Sequence, residues 1–146
     1  MNSEQRLTTS VVVITKDRAE IIGRLFEALT RQSLAPDEVV VVDNNSRASY
    51  AAIFDAYRAR LPLRTFVETS AGIPAARNRG IREARNDIVV FVDDDCVPVP
   101  EWLERITEPF YRDPHIGAVG GHTTYHGATG SFVEQYYRAD REATEA

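Results

Sequence analysis

The sequence has few of the features that mark secreted, membrane-spanning or nucleic-acid-binding chains. Its single cysteine, Cys96, cannot pair within the chain, so nothing indicates an oxidising compartment. The longest apolar run, residues 88–92, is far shorter than the roughly 20 residues that span a bilayer. A net charge of −5 argues against a general binder of nucleic-acid phosphates. We therefore expect a cytoplasmic chain, or one peripheral to a membrane, with no transmembrane segment and no nucleic-acid partner.

What the sequence does contain is an ordinary globular composition. The 146 residues are 43% hydrophobic and 27% charged, and they show no internal repeat, low-complexity stretch or linker. A chain of this length buries roughly 70% of its unfolded surface on folding, so a core can form without disulfides or metals. We predict a single domain over residues 1–146.

Four short apolar runs predict the strands of a sheet. They cover residues 11–14, 39–42, 63–67 and 88–92. Three of the runs are rich in β-branched residues and show no alternation with polar ones, which is typical of strands covered on both faces in a parallel sheet. A further short strand is predicted at Ile116–Val119.

Between these runs the apolar residues follow a helical period. One stripe follows Asp17 and Glu20, which have the spacing of a capping box. A third helix is predicted from Pro74 to about Ala84, because proline suits a first helical turn. A last helix is predicted to begin at the capping-box pair Ser131 and Glu134. The four apolar stripes, in chain order and ending with that of the last helix, are Ile21, Ile22, Leu25, Phe26 and Leu29; Ile53, Phe54, Tyr57 and Leu61; Trp102, Leu103 and Ile106; and Phe132, Val133, Tyr136 and Tyr137.

The resulting order, β-α-β-α-β-α-β, predicts an α/β fold with a doubly wound, mostly parallel sheet. In such folds the ligand crevice lies beyond the carboxyl ends of the strands. Polar clusters follow three of the predicted strands, at residues 15–18, 43–46 and 93–95. Turn formers and helix caps account for such residues in many loops, so the first cluster alone favours no function.

The three consecutive acids Asp93, Asp94 and Asp95 need a neutralising positive charge, and a divalent cation would supply it. If strand geometry continued, Asp93 and Asp95 would face the same way and hold one cation through oxygen. An EF-hand calcium loop fits poorly, because Val97 and Pro98 stand at the positions where that loop needs a ligand and a glycine. Mg²⁺ or Mn²⁺ bridging a diphosphate fits better, since such ions take one or two carboxylates and complete their shell with phosphates and water.

The start of the third predicted helix is a candidate anion site. Helix N-termini attract anions, and Arg77, with Asn78 beside it, would add donors to a phosphate oxygen. A solvated helix face is the better interpretation of the other arginines of this stretch, Arg79, Arg82 and Arg85. Cys96 lacks a neighbouring base and is interpreted as a packed thiol.

Four phrases in order, at residues 11–18, 41–46, 72–80 and 91–98, followed by Glu101-Trp102-Leu103, resemble the N-terminal half of family 2 glycosyltransferases. The resemblance covers about residues 10–121. It implies a GT-A fold, with a Rossmann-like sheet and without much of the C-terminal acceptor half. It also implies a nucleotide-diphosphate-sugar donor (UDP-, dTDP- or GDP-linked), Mg²⁺ or Mn²⁺ at a DxD motif, and inverting transfer to a hydroxyl of a saccharide or lipid-linked acceptor.

The resemblance assigns roles to particular residues. Thr15 and the pair Asp43 and Asn44 match positions that hold the nucleoside, and Arg77 matches one associated with the nucleotide and its phosphates. Where the family often has a second aspartate, Asn44 keeps an acceptor oxygen but removes a charge, so the choice of nucleotide stays open. The predicted metal ligands are Asp93 and Asp95, and the remaining predicted nucleotide-binding residues are Asp17 and Asp94.

One expected group is missing. Inverting transfer needs a carboxylate base, which in the family usually belongs to an acidic pair well beyond the DxD motif. After Asp95 no two acidic residues are adjacent, so we predict a donor-binding portion whose catalytic base is unknown. The alternatives are a non-catalytic nucleotide-sugar-binding fragment and, from the reading D-x-D-x-V at residues 93–97, a haloacid-dehalogenase-type phosphohydrolase. The resemblance to that phosphohydrolase family implies a lysine after the motif. The only lysine in the sequence, Lys16, precedes the motif, which argues against this alternative.

Overall fold

The structure, a computed structural model, describes residues 6–124 and arranges them as alternating strands and helices. The predicted β-α-β-α-β-α-β order is confirmed and continues into a helix that contains Trp102. The predicted last helix at residues 131–137 lies outside the described residues. The elements are β1 (Thr9–Thr15), α1 (Ile22–Leu29), β2 (Glu38–Asp43), α2 (Ala51–Tyr57), β3 (Leu63–Val67), α3 (Ile73–Glu83), β4 (Ile88–Asp93) and α4 (Trp102–Arg112).

The four strands form one parallel sheet in the order β3-β2-β1-β4. The central strands β1 and β2 are buried on both faces, as their unbroken apolar runs predict. Successive side chains still point to opposite faces. Val11, Val13, Val39 and Val41 join one core cluster, whereas Val12, Val40 and Val42 join the other. The prediction of a doubly covered sheet is confirmed.

The two faces of the sheet are covered unequally. The larger core cluster packs side chains of α1, α2 and α4 against one face, and Leu61 joins it from the turn after α2. The other face is covered by α3, whose Ala76 is fully buried. Gly80 of α3 lies so close to β1 that a Cβ placed there would be 2.3 Å from Cγ1 of Val12. The absence of a side chain at Gly80 therefore sets how closely α3 approaches the sheet.

The predicted capping box at Asp17 and Glu20 is wrong. Helix α1 begins at Ile22, and its N-cap residue, Ile21, makes no side-chain capping hydrogen bond. Asp17 has a positive φ of 52° and its carboxylate accepts a hydrogen bond from the backbone N–H of Arg47 instead. A contact with the second βα loop thus replaces the local cap.

The predicted strand at Ile116–Val119 is also wrong, because these residues adopt no regular structure. A strand requires a neighbour that completes its ladder of hydrogen bonds, and β4 pairs only with β1 among the described residues. Glycines at 117 and 120 weaken the local preference further. Over residues 6–124, no helix is both long and apolar enough to cross a membrane.

Candidate functional site

The polar clusters that follow β1, β2 and β4 lie at the same edge of the sheet. The register pairs Thr15 with Asp43 and Ile14 with Asp93, and all three strands run in the same direction. The convergence predicted from the sequence is therefore confirmed. What the sequence did not predict is how these side chains are paired with one another.

A chain of hydrogen bonds ends on Asp94, which is only 5% exposed. The hydroxyl of Thr15 donates to Oδ2 of Asp94 at 2.7 Å and lies 2.9 Å from the hydroxyl of Tyr50. A threonine hydroxyl has one hydrogen, so Tyr50 is the donor to Thr15. The Tyr50 oxygen in turn accepts a hydrogen bond from the backbone N–H of Arg18 at 2.8 Å. The chain fixes the Asp94 carboxylate with respect to the first βα loop.

The guanidinium of Arg18 supplies the positive charge that three adjacent acids require. Its NH1 nitrogen donates to Oδ1 of Asp94 at 3.0 Å and to Oδ2 of Asp95 at 3.1 Å. The hydrogen bond with Asp94 is the main reason that the pKa of Arg18 is raised above its ordinary value. The side chain of Asp95 is 55% exposed, so this second ion pair faces solvent.

The third acid, Asp93, lies apart from the other two. Its side chain is 74% exposed, and the nearest cationic atom with which it pairs is NH2 of Arg77, 3.9 Å from Oδ1. The guanidinium carbon of Arg77 also lies 5.9 Å from the centre of the Phe91 ring. Arg77 of α3 is thus placed at the end of β4, beside the acidic cluster, with half of its side chain in solvent.

The strand geometry assumed for Asp93 and Asp95 does not continue. Strand β4 ends at Asp93, and a turn follows in which the N–H of Cys96 donates to the carbonyl of Asp93 at 3.1 Å. Two-residue alternation therefore does not align the two carboxylates, and their joint action on one cation stays a prediction. The Cys96 thiol has a raised pKa, chiefly because it is partly buried, and this disfavours a nucleophilic role.

The donor chemistry of this cluster nevertheless fits a hard divalent cation. Within residues 6–124 no group of three or more His, Cys, Asp or Glu side chains is placed to hold a metal ion. Mg²⁺ and Mn²⁺ sites often use one or two carboxylates and complete the shell with substrate phosphates and water. The exposed oxygens of Asp93 and Asp95 match that requirement, provided that the diphosphate brings further ligands.

Asn44 is buried and its amide holds the loop between β3 and α3. Its Nδ2 donates to the carbonyls of Glu68 at 3.0 Å and Ser70 at 2.8 Å, and its Oδ1 accepts from the N–H of Gly72 at 3.1 Å. The acceptor oxygen expected to face a nucleobase thus has a protein partner. Contact between Asn44 and a base stays a prediction, while its support of the β3–α3 loop is observed.

Asp17 and Asp43 organise the loops after β1 and β2. The N–H of Asp17 donates to Oγ of Ser46 at 2.8 Å, and its Oδ1 accepts from the N–H of Arg47 at 2.8 Å. The pKa of Asp17 is lowered, mainly by this hydrogen bond from Arg47. Asp43 caps its own turn, since its Oδ1 accepts from the N–H of Ser46 at 2.9 Å. The predicted nucleoside-binding loops are therefore tied to each other.

Arg18 and Tyr50 belong to the site but were not among the residues predicted for it. No motif spacing connects Arg18 with Asp95, but a signal was present. If three acids need a cation and the strand ends converge, then an arginine in a neighbouring strand-end loop is a candidate for that cation. Nothing in the sequence marked Tyr50, because its ring packs in the apolar core and only its hydroxyl reaches the site.

Comparisons with known proteins agree with this architecture. The family described as Glycosyl transferase family 2 matches residues 10–144. An uncharacterized glycosyltransferase, YwdF of Bacillus subtilis, is 32% identical over 100 residues, which are 68% of this chain and 37% of that protein. The chain spans well under half the length of the relatives it matches.

Two solved structures share the fold. The Pyrobaculum calidifontis mannosyltransferase PcManGT, in complex with GDP-Man and Mn²⁺, superposes with a TM-score of 0.70 at 28% identity over 78% of this chain and 35% of that chain. S. aureus TarS in complex with UDP-GlcNAc superposes with a TM-score of 0.68 at 26% identity, over 86% of this chain and 39% of that chain. The predicted GT-A-like sheet is thereby confirmed, and the chain belongs to glycosyl transferase family 2.

Proposed function

We propose that this domain binds a nucleotide-diphosphate sugar at the carboxyl edge of its sheet, with the help of Mg²⁺ or Mn²⁺. It would thereby serve as the donor-binding part of an inverting glycosyltransferase. The observation that carries the proposal is the convergence of Thr15, Asp43 and residues 93–95 at one edge, beside Arg77. Membership of family 2 supports it, and so do the solved relatives that hold UDP-GlcNAc or GDP-Man with Mn²⁺.

The exposed carboxylates of Asp93 and Asp95 are the groups that would hold the cation, which would counter the charge of the leaving diphosphate. Arg77 is suited to a phosphate oxygen because its guanidinium is half exposed and its ion pair with Asp93, at 3.9 Å, is loose. Asp94 would act indirectly, since its carboxylate is already bound by Thr15 and Arg18.

The nucleoside would be held by the loops that Asp17, Asp43 and Asn44 organise. Asp43 is only half buried and keeps an oxygen beyond its bond to Ser46. Thr15 and Asn44 make their hydrogen bonds inside the protein, so their contribution in the free domain is to fix the walls of the site. UDP-, dTDP- and GDP-linked donors are all candidates, with a saccharide or lipid-linked acceptor in a cytoplasmic setting.

No residue is assigned as the base of the transfer. Among the described residues after Asp95, the acids are separate from one another on and around α4: Glu101, Glu104, Glu108 and Asp113. The second candidate function is a module that binds nucleotide sugar without transferring it. Family membership favours both of these functions over the phosphohydrolase hypothesis. The two are separated by assaying this chain for transfer or donor hydrolysis above the background of Mn²⁺ alone.

Calorimetric titration of UDP-, dTDP- and GDP-sugars, each with and without Mn²⁺, tests the donor site. We expect at least one donor to bind more tightly with Mn²⁺, and Asp95→Asn to abolish that difference. Asp55→Asn is the matched control, because it removes the same charge from an exposed side chain on α2 that pairs with Arg58. If no donor binds, or if Asp95→Asn retains the full effect of Mn²⁺, the assignment is wrong.

A further inference from the structure

The position of Arg18 bears on how a cation enters the acidic cluster. A single nitrogen, NH1, contacts both Asp94 and Asp95, at 3.0 and 3.1 Å. Asp95 is also one of the two carboxylates that would hold the divalent cation. The guanidinium therefore already neutralises a group that the cation would use.

The two ion pairs of Arg18 differ in strength. Asp94 is buried and also accepts the hydrogen bond from Thr15, so removing its cation would leave a buried charge with one partner fewer. Asp95 is 55% exposed, and exposed ion pairs contribute little free energy. Of the two contacts, the one with Asp95 is the easier to release.

We propose that Arg18 competes with the divalent cation for Asp95, so that cation binding requires the guanidinium to leave Asp95 while it stays on Asp94. This inference rests on the proposed donor site. A divalent cation on Asp95 would lie close to the positive charge of Arg18, and two like charges at short range repel. A diphosphate brings negative charge and lowers that repulsion, so the cation would bind more tightly with the nucleotide than alone.

The first test measures Mn²⁺ binding without nucleotide, by the electron paramagnetic resonance signal of free Mn²⁺. We expect Arg18→Gln to tighten binding about two- to fivefold, the range set by the free energy of an exposed ion pair. Arg58→Gln removes the same charge from the residue that follows α2 and is the matched control, with a change below about 1.5-fold expected from screened charge alone. Unchanged or weaker binding by Arg18→Gln overturns the proposal.

A second test uses the unmodified protein, because Arg18→Gln also removes a partner from buried Asp94. In a sample with [¹⁵N]arginine, titration with Mg²⁺ should shift the Nε resonance of Arg18 along a saturating curve and leave that of Arg58 in place. A resonance of Arg18 that does not move while Mg²⁺ binds overturns the competition.

These results also separate the two proposals. If Mn²⁺ strengthens donor binding through Asp95 but Arg18→Gln has no effect on Mn²⁺ affinity, the competition is wrong and the donor site stands. If Mn²⁺ binds neither alone nor with any of the UDP-, dTDP- and GDP-sugars, both are wrong.

Discussion

The contact between Gly80 of α3 and Val12 of β1 predicts a strong effect from adding one methyl group. In Gly80→Ala the new Cβ would lie 2.3 Å from Cγ1 of Val12, well inside van der Waals contact. Val12 is fully buried, so its side chain has no open space into which to move. Either α3 must shift away from the sheet or the valine must leave its rotamer.

The magnitude follows from two opposing terms. Overpacking a core typically costs about 1–3 kcal/mol, and a contact this short against a buried side chain belongs at the upper end. In a helix interior, alanine favours the folded helix by about 1 kcal/mol relative to glycine. We therefore expect Gly80→Ala to lower the free energy of unfolding by about 2 kcal/mol, measured by urea denaturation followed by circular dichroism.

Gly23→Ala in α1 is the matched control. Its Cβ would meet only Cδ1 of Ile53, at 3.3 Å, which is the flexible end of a side chain. We expect a change within about 0.5 kcal/mol, as for substitutions that create no clash.

A double-mutant cycle decides whether the clash is the cause. In a Val12→Ala background the obstructing methyl is absent, so Gly80→Ala should become neutral or stabilising, with a coupling energy of about 2–3 kcal/mol. If Gly80→Ala costs the same in both backgrounds, the close approach of α3 to β1 is not what requires glycine.

Three further predictions concern the polar residues around the sheet. Thr15→Val keeps the shape but removes the donor to buried Asp94, and should lower the free energy of unfolding by about 1.5–3 kcal/mol in urea titrations. The pKa of Asp87 is lowered by hydrogen bonds from Thr8, so the ionised Asp87 stabilises the fold above about pH 4, and this stabilisation is lost as pH falls below that value. Asp87→Asn should therefore reduce the difference in unfolding free energy between pH 6 and pH 3. Asn44→Ala removes the acceptor of the Gly72 N–H, and should speed hydrogen exchange at that amide more than at the centre of β2.

The sheet could be predicted from the sequence because its signal is local. Apolar runs, three of them rich in β-branched residues, placed all four strands, and their alternation with helical stripes predicted that the strands are parallel and at which edge the polar loops meet. The start of α3 was predictable for the same reason, since proline in the first turn is a property of the helix itself.

The failures arose where local and tertiary preferences compete. Asp17 and Glu20 have capping-box spacing, but the carboxylate of Asp17 makes its hydrogen bond across to Arg47. Residues 116–119 have strand composition but no strand beside them among the described residues. The ion pair between Arg18 and Asp95 joins residues 77 positions apart, which no spacing rule detects.

The link between the first two βα loops has a consequence for exchanging segments between relatives. Asp17 and Asn45 both have positive φ, at 52° and 57°, a conformation that aspartate and asparagine tolerate better than most residues. The hydrogen bonds of Asp17 with Ser46 and Arg47 join one loop to the other. A loop transplanted alone would lose the hydrogen bonds that the other loop supplies, so chimaeras that exchange these loops between relatives should carry residues 15–18 and 43–47 together.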